Sequence, residues 1–285
     1  MSRIDKAIEM ATKKRKLAER SCEPEAIPAV PETQQFTQMH SGEMHSGNGT
    51  PVAKSFPQIN NPFLVTAHDP NGAASEQYRK LKSSLVKLSQ LDRFDKSLMV
   101  TSAVGGEGKS ITAINLAITL AQEFDHTVLL VEADIRNPTV MKYLEMESTF
   151  GLTDCVLDQI DVGEALVRTG IGKLTVLPAG RAVPNPVELF SSNRMQNLLL
   201  EIKNRYPDRY VIVDTTPLLP FAEPQFIASI VGGVLFVVRE GYTSTDKLTK
   251  ALGLLQGHNL LGVVCNAVRQ SQSDKFGYYG YFGYK

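Results

Sequence analysis

A glycine-rich segment carries the clearest chemical signal in the sequence. Residues 102–110 read Ser-Ala-Val-Gly-Gly-Glu-Gly-Lys-Ser, after an apolar stretch and before a helical pattern. Glycines let backbone N–H groups face phosphate oxygens, and the following helix adds the positive end of its dipole. This is the context of a P-loop, although Ala103 occupies the first glycine position of the consensus. Lys109 is expected to reach the β- and γ-phosphates of ATP, and Ser110 to place its hydroxyl on Mg²⁺. The predicted nucleotide-binding residues are Gly105, Gly106, Glu107, Gly108, Lys109, Ser110 and Ile111.

Carboxylates follow two other apolar stretches of the chain. Glu132 and Asp134 come after residues 127–131, and Asp214 comes after residues 210–213. In open α/β sheets, ligands bind at the carboxyl ends of the strands, and nucleotide phosphates bind together with Mg²⁺. These carboxylates are therefore predicted to face the P-loop. The alternative for Asp214, taken alone, is a residue that caps a strand–loop junction.

The chain ends in a cluster of tyrosines. Four of the nine tyrosines fall within residues 276–285, and glycines separate them: Tyr278, Tyr279, Tyr281 and Tyr284. Glycine disfavours a stable helix, so the segment is predicted to be a mobile tail suited to entering a neighbouring active site. Each phosphate on it would add about −1.5 to −2 charges, so four would turn a neutral tail into a polyanion, a way to dissociate a ring of subunits. The alternative is an aromatic low-complexity tail that adheres to surfaces.

The elements that must position these residues follow from the hydrophobic pattern. Short apolar runs alternate with helical patterns from residue 75 onward, which is typical of βαβ units. The prediction is an α/β fold of the P-loop NTPase type, with a mostly parallel twisted sheet flanked by helices on both faces. Predicted strands lie at 98–101, 127–131, 174–177, 210–213, 234–238 and 261–264, and predicted helices at 75–88, 109–124, 186–204 and 244–257.

Composition divides the chain into four predicted parts. Residues 1–20 read as a basic helix, which is either a solvated surface helix or a dock for acidic lipid or a membrane-protein partner. Residues 21–60 contain repeated prolines and read as a disordered linker. Residues 61–270 form the predicted catalytic domain, and residues 271–285 form the tyrosine tail.

Charge, hydropathy and cysteine usage exclude several classes of protein. Lys and Arg total 30, and Asp and Glu total 30, so the basic excess that usually accompanies a nucleic-acid partner is missing. No apolar stretch approaches the roughly 18–20 residues of a membrane-spanning helix. The three cysteines include no CxxC pair, and Cys155 and Cys265 are predicted to be ordinary buried residues. These features favour a cytoplasmic protein.

The motifs together resemble those of the bacterial tyrosine kinases that control capsule and exopolysaccharide export. That family carries a P-loop, an apolar strand with Asp-x-Asp-x-Arg, an apolar strand with Asp, and a tyrosine-rich tail. The matching segments here are residues 105–110, residues 132–136, Asp214 and the tail. Residues 177–180 and 184–189 also resemble the segment between the second and third acidic motifs, so the likeness runs from about residue 62 to the C-terminus.

The resemblance implies a role for each matching residue. Lys109, Glu132, Asp134 and Asp214 are implied to be catalytic, with Ser110 and the two aspartates binding Mg²⁺ and the acidic motifs helping to activate the tyrosine hydroxyl. The tail tyrosines are implied to be the phosphoacceptors.

The resemblance also implies partners. Residues 76–82 are similar to the family's Glu-x-x-Arg-x-x-Arg assembly helix, so Glu76, Arg79 and Lys82 are implied to hold a homo-oligomeric ring. Residues 1–7 look like those of the soluble members, which work with a separate membrane-embedded chain-length protein that activates them. The expected location is the inner face of the plasma membrane, reached through that partner, and the expected substrates are protein tyrosines.

Three positions depart from the family pattern. Glu132 replaces the first aspartate of Asp-x-Asp and is longer by one methylene, which changes the coordination geometry. Lys82 replaces the second arginine of the assembly helix and lacks its bidentate fork. Gly105 stands where the family often has proline.

Two other functions share part of this pattern. The first is an ATPase switch resembling the Par and Min partitioning proteins, which carry a lysine where this chain has Val104 and lack a tyrosine-rich tail. The second is a non-catalytic, ATP-binding scaffold of the export complex, in which Glu132 has cost the activity. Arg136 is predicted either to bind phosphate or to cap its loop, and Arg239 and Tyr242 near the site have no assigned role.

Overall fold

A seven-stranded sheet lies at the centre of the part of the chain that the structure describes. The computed structural model describes residues 60–268 except residues 124 and 207. The strands are β1 (Ser97–Ser102), β2 (Thr127–Glu132), β3 (Val167–Arg168), β4 (Leu174–Leu177), β5 (Arg209–Asp214), β6 (Gly233–Arg239) and β7 (Leu260–Asn266). They lie in the order β3-β4-β2-β5-β1-β6-β7, and every neighbouring pair is parallel except β3 with β4. The predicted α/β fold with a mostly parallel sheet is confirmed.

Three predicted parts of the chain lie wholly or mainly outside the described residues. They are the basic helix at 1–20, the linker at 21–60 except its last residue, and the tyrosine tail at 271–285. Their assignments stay predictions.

Two of the described helices precede β1, and the others lie in the connections between strands. They are α1 (Val65–His68), α2 (Ala73–Gln90), α3 (Lys109–Ala121), α4 (Val140–Tyr143), α5 (Leu152–Leu157), α6 (Val162–Ala165), α7 (Pro186–Ser191), α8 (Asn193–Asn204), α9 (Glu223–Ala228) and α10 (Thr245–Gly253). Three predicted helices are present with shifted ends. None of the helices in the described ranges combines the length and apolar character needed to cross a bilayer.

The single helix predicted over residues 186–204 is wrong, because the chain leaves the helix at Ser192. Ser192 has extended backbone angles, with φ −71° and ψ 145°. Its hydroxyl oxygen accepts a hydrogen bond from the backbone N–H of Met195 at 3.2 Å. Serine at this position satisfies an otherwise unpaired N–H at the start of α8. The segment is therefore two helices, α7 and α8.

Successive strand residues alternate between two apolar cores, one on each face of the sheet. Leu98 and Val100 of β1 pack with the core that includes Ile114 of α3. Met99, between them, packs with the core that includes Met195 and Leu199 of α8. Side chains of a strand point to opposite faces in turn, so a strand covered on both faces is apolar throughout. This explains the continuous apolar runs that predicted the strands.

Strand β7 departs from that rule. Leu260 is 40% exposed and Val263 is 54% exposed. Cys265, which was predicted to be buried, is also exposed, whereas Cys155 is buried as expected. Within the described chain β7 is the last strand of the sheet and pairs with β6 alone, so it has fewer neighbours to cover it.

Asn115 is a fully buried polar residue that ties the segment before α2 to helix α3. Its amide nitrogen donates to the backbone carbonyl of Phe63 at 2.9 Å. Its amide oxygen accepts from the backbone N–H of Thr66 at 3.0 Å and from the Thr66 hydroxyl at 2.9 Å. Removing the Asn115 amide would leave these buried groups unpaired, which costs more than the bonds themselves contribute.

We therefore expect Asn115→Ala to lower the free energy of unfolding by about 2–4 kcal/mol, since it removes four hydrogen bonds of the side-chain amide, the three above and one to the Ile111 carbonyl at 2.9 Å, and leaves a cavity. Urea denaturation followed by circular dichroism measures this change. The control is Asn204→Ala, at an exposed position at the end of α8, where a change within about 0.5 kcal/mol is expected. Equal changes in the two variants would contradict the role of Asn115.

Candidate active site

The predicted P-loop connects the end of β1 to the start of α3. Gly106 and Gly108 have φ angles of +82° and +90°, a region that side chains rarely adopt. A Cβ atom on Gly108 would also lie 2.0 Å from Nδ2 of Asn266. Gly105 has no such constraint, because a Cβ atom there would meet nothing within 4 Å. Glycine is thus required at positions 106 and 108 but not at position 105.

The loop is held from the side of β6 and β7. The carboxylate of Glu107 is fully buried. It accepts hydrogen bonds from the backbone N–H of Val104 at 2.8 Å and from the hydroxyl of Thr243 at 2.6 Å. The Glu107 carbonyl accepts from Nδ2 of Asn266 at 2.9 Å. Sequence reasoning missed Thr243, which follows β6, and Asn266, which ends β7, although the carboxyl ends of both strands lie at this edge.

Arg239 and Tyr242, which sequence analysis left without a role, also lie beside the P-loop. Arg239 donates from Nη1 to the Gly106 carbonyl at 3.4 Å. The Tyr242 hydroxyl would lie 3.2 Å from a Cβ atom on Gly106. The guanidinium of Arg239 sits 5.2 Å from the centre of the Tyr242 ring. These contacts place the loop after β6 against the phosphate-binding segment.

The sheet brings the three predicted carboxylates to the opposite side of the loop. Strand β5 lies between β1 and β2, and Glu132 and Asp214 are direct neighbours in the register of β2 and β5. Asp134 follows two residues after Glu132. All three side chains are buried, with exposures of 1%, 4% and 0% for Glu132, Asp134 and Asp214. The carboxyl edge therefore concentrates negative charge next to Lys109, as the sequence predicts.

Lys109 forms a buried ion pair across this edge. Its Nζ lies 2.6 Å from Oδ2 of Asp134 and donates to the Ser110 hydroxyl at 3.2 Å. Burial acts to lower the pKa of Lys109, but the charges of Asp214, Asp134 and Glu132 outweigh it, so the pKa lies above its ordinary value. Lys109 is therefore held as a cation, the form that neutralises phosphate charge.

Asp214 is the carboxylate with no ordinary partner. Neither of its oxygens forms a hydrogen bond of ordinary geometry with the residues that the structure describes, although the Ser110 hydroxyl approaches. Burial raises the pKa of Asp214 to about 6, while the Lys109 charge acts against that rise. A buried carboxylate with two free oxygens is costly unless a cation meets it.

The oxygens around Asp214 fit Mg²⁺ that arrives with a nucleotide. Asp134, Asp214 and the Ser110 hydroxyl supply the hard oxygen donors that Mg²⁺ prefers. In the described ranges, no three His, Cys, Asp or Glu side chains converge closely enough to hold a metal by themselves. Mg²⁺ usually takes one or two carboxylates and fills its remaining positions with water and phosphate, so this geometry suits a metal–nucleotide complex better than a lone ion.

Glu132 has a different environment from the two aspartates. Its carboxylate oxygens accept hydrogen bonds from the backbone N–H groups of Val140 at 2.5 Å and of Ala179 at 3.2 Å. Burial raises the pKa of Glu132, and the N–H bonds act against that rise. With its additional methylene, the Glu132 side chain reaches from the end of β2 to the backbone segments that follow β2 and β4. Glu132 fastens the backbone on which Asp134 sits.

Arg136, for which two roles were open, pairs with Glu223 across the site. Its Nε lies 2.7 Å from Oε1 of Glu223, whose side chain is 2% exposed. Its guanidinium stacks 4.5 Å from the centre of the Phe221 ring. The pair joins the loop after β2 to the first residue of α9, so it links the segments that follow Glu132 and Asp214.

The three residues predicted to mediate assembly lie on α2. Glu76 and Arg79 form an ion pair of 2.7 Å, and Arg79 also donates to the Pro70 carbonyl at 2.6 Å. Lys82 pairs with Glu123 at 3.1 Å. Glu76 and Arg79 keep about 40% of their side-chain surface exposed, so they remain accessible to another chain. The predicted phosphoacceptor tyrosines lie outside the described residues.

Comparison with known proteins agrees with this geometry. Residues 95–246 match the family model described as an AAA domain. Over 219 residues the chain is 37% identical to the tyrosine-protein kinase YwqD of Bacillus subtilis, covering 76% of this chain and 91% of that protein. The crystal structure of the chimerical protein CapA2B2 superposes with a TM-score of 0.68 at 30% identity, covering 73% of this chain and 91% of that one.

A more distant likeness concerns the fold alone. A ParA-family ATPase from Chlorobium tepidum superposes with a TM-score of 0.51 at 19% identity, covering 62% of this chain and 76% of that one. The shared architecture explains why the sequence pattern also suggests an ATPase switch.

Without nucleotide and in EDTA, we expect Asp214→Asn to stabilise the fold above neutral pH. The pKa of Asp214 rises from 3.8 to about 6 on folding, so the charged carboxylate opposes folding, and this penalty grows as the pH rises through that interval. The free energy of unfolding should increase by about 2–3 kcal/mol at pH 8 and by roughly half as much at pH 5. Urea denaturation at both pH values measures the difference.

The control is Asp246→Asn, which neutralises an exposed aspartate on α10. No comparable stabilisation is expected there. If Asp214→Asn raised the free energy of unfolding by the same amount at both pH values, this would contradict the assignment of Asp214 as a buried carboxylate whose charge opposes folding.

Proposed function

Because this chain belongs to the bacterial tyrosine kinases of capsule biosynthesis and is a protein-tyrosine kinase, we propose that it transfers the γ-phosphoryl group of ATP to tyrosines of its own C-terminal tail in trans. The observation that carries the proposal is the arrangement at the carboxyl edge of the sheet. Lys109 of the P-loop lies against Asp134 at 2.6 Å, and the unpartnered carboxylate of Asp214 is buried beside them.

ATP and Mg²⁺ are the cofactors that this arrangement suits. The backbone of residues 105–111 lies at the N-terminus of α3, where N–H groups and the helix dipole favour phosphate. Ser110, Asp134 and Asp214 would hold Mg²⁺, which supplies charge neutralisation on the phosphates when bound. The rise in the pKa of Asp214 supports the assignment, because a cation would favour the charged carboxylate that burial disfavours.

Lys109 must change partners during the reaction. In the structure its ammonium is held by Asp134. In our proposal the γ-phosphate draws Lys109 away, and Asp134 then becomes available to the metal and to the incoming hydroxyl. Because the tyrosine hydroxyl has a pKa near 10, a positioned carboxylate helps to remove its proton during transfer.

Glu132 is the fourth member of the proposed catalytic group. Its charge contributes to raising the pKa of Lys109. Its two backbone bonds hold the segment that carries Asp134, so its effect on the reaction passes mainly through that residue.

The tail tyrosines Tyr278, Tyr279, Tyr281 and Tyr284 are the proposed acceptors. Transfer between chains brings two copies of the chain into contact, and Glu76, Arg79 and Lys82 of α2 provide the contacts of the proposed homo-oligomer. We further propose that a membrane-embedded chain-length protein activates the kinase and holds it at the inner face of the plasma membrane. Phosphorylation of the tail, and of further protein tyrosines, would then regulate exopolysaccharide polymerisation and export.

Mixing a variant without the P-loop lysine and a variant without the tail tyrosines tests transfer between chains. One chain carries Lys109→Met and keeps its tail, and the other keeps Lys109 but has Phe at positions 278, 279, 281 and 284. With Mg²⁺ and ATP, each alone should gain no tail phosphotyrosine, whereas the mixture should gain it on the Lys109→Met chain. Mass spectrometry locates the phosphate, with and without the cytoplasmic ends of a candidate export protein.

The other outcomes separate the alternatives. A wild-type tail that is phosphorylated although the mixture stays unmodified would indicate transfer within one chain. ATP hydrolysis without phosphotyrosine under both conditions would favour the Par- or Min-like switch. ATP binding with neither activity would favour the scaffold.

Two substitutions separate the roles of the acidic residues. Asp134→Asn removes the direct partner of Lys109 and should lower the rate of tail phosphorylation by about a hundredfold or more. Glu132→Gln keeps the size of the side chain but places an NH₂ group opposite one backbone N–H, so it should lower the rate by about tenfold. Initial rates at saturating ATP measure both. A larger loss from Glu132→Gln than from Asp134→Asn would make Glu132 the base.

A further inference from the structure

We propose that Thr243 and Asn266 are positioning residues that hold the P-loop in its phosphate-binding form by gripping Glu107. The inference rests on the proposed binding of ATP at this loop. Glu107, Thr243 and Asn266 are together called the brace. Thr243 lies in the loop between β6 and α10, and Asn266 is the last residue of β7. Neither residue belongs to the P-loop motif or to the acidic motifs.

Glu107 is an unusual residue at the centre of the loop, because its carboxylate is fully buried. A buried carboxylate is costly unless hydrogen bonds satisfy it. Here the Val104 N–H and the Thr243 hydroxyl donate to separate oxygens, at 2.8 and 2.6 Å. The first bond closes the loop upon itself, and the second fastens the closed loop to the segment after β6.

Asn266 controls the orientation of one peptide group of the loop. Its Nδ2 donates to the carbonyl of Glu107 at 2.9 Å. In a trans peptide the carbonyl and the following N–H point in opposite directions. Holding the Glu107 carbonyl therefore directs the Gly108 N–H away from Asn266. Backbone N–H groups of this loop are the ones that bind phosphate, so their direction determines affinity.

Asn266 is itself held in position. Its Oδ1 accepts from the backbone N–H of Ala267 at 2.8 Å, and its carbonyl accepts from the N–H of Glu240 at 3.0 Å. The approach of Nδ2 to Gly108 leaves no room for a Cβ atom there. Gly108 and Asn266 are thus fitted to each other.

Thr243 and Asn266 lie on the opposite side of the P-loop from Glu132, Asp134 and Asp214. Strand β1, which leads into the loop, has β5 on one side and β6 on the other. Asp214 ends β5, whereas Thr243 and Asn266 follow β6 and end β7. One side supplies charge for the metal, and the other side fixes the backbone that receives the phosphates.

Isosteric substitutions test the brace. Thr243→Val keeps the shape of the side chain but removes the hydroxyl donor, and Thr243→Ser restores the hydroxyl. Asn266→Asp replaces the NH₂ donor by an acceptor that repels the Glu107 carbonyl. Thr245→Val is the matched control, at an exposed threonine two residues along. ATP affinity is measured by isothermal titration calorimetry with Mg²⁺, and the thermal midpoint is measured without nucleotide.

We expect Thr243→Val and Asn266→Asp each to weaken ATP binding by about tenfold or more, the usual consequence of losing a hydrogen bond to a buried charged or polar group. In tail phosphorylation the KM for ATP should rise more than kcat falls. Thr243→Ser and Thr245→Val should bind ATP like the wild type. The double variant should lose less than the product of the single losses, since both act through Glu107.

Three results would overturn the inference. Unchanged ATP affinity in both variants, with a wild type that binds, would overturn the brace and leave the proposed function intact. A wild type that binds no ATP would overturn both. The third result concerns stability. If Thr243→Val lowers the thermal midpoint, Thr243→Ser does not restore it, and the loss of stability fully accounts for the lost ATP binding, the brace is only a structural contact.

Discussion

The burial of charge at one edge of the sheet is the constraint on which the rest of the structure depends. Three carboxylates and one lysine meet there, and all three carboxylates are almost inaccessible to solvent. Such groups are stable only with partners, because the cost of removing them from water is large. Asp134 takes Lys109, Glu132 takes two backbone N–H groups, and Asp214 has no ordinary partner. We interpret Asp214 as the carboxylate that gains Mg²⁺ as its partner when ATP binds.

The fold serves this edge from two directions. The carboxylates lie at or just after the ends of β2 and β5. The residues that form hydrogen bonds with the P-loop lie after β6 and at the end of β7. The P-loop lies between them because β1 lies between β5 and β6. Asn266 of the brace ends the last strand that the structure describes, and the predicted tail, from residue 271, begins only five positions later. The segment proposed to accept phosphate is therefore connected, through one strand end, to the loop proposed to bind the donor.

Much of this arrangement was predictable from the sequence, because it depends on local patterns. Apolar runs predicted six of the described strands, and the carboxylates at their ends predicted the site. The break at Ser192 was missed because a helix start inside an apolar pattern depends on one hydroxyl. The exposure of Cys265 was missed because strand order is not a local property. Thr243, Asn266 and the bond between Glu132 and Ala179 were missed because each joins segments far apart in the chain, and no motif marks them.

The Mg²⁺ dependence of ATP affinity tests the central claim, that a buried, incomplete charge site is completed by the metal–nucleotide complex. Calorimetric titration with ATP, in Mg²⁺ and in EDTA, is the measurement for the wild type and for Asp214→Asn. The account predicts that the wild type binds ATP at least about tenfold more tightly with Mg²⁺ and that Asp214→Asn loses most of this difference. Equal affinity with and without Mg²⁺ in the wild type, or an unchanged difference in Asp214→Asn, would contradict it.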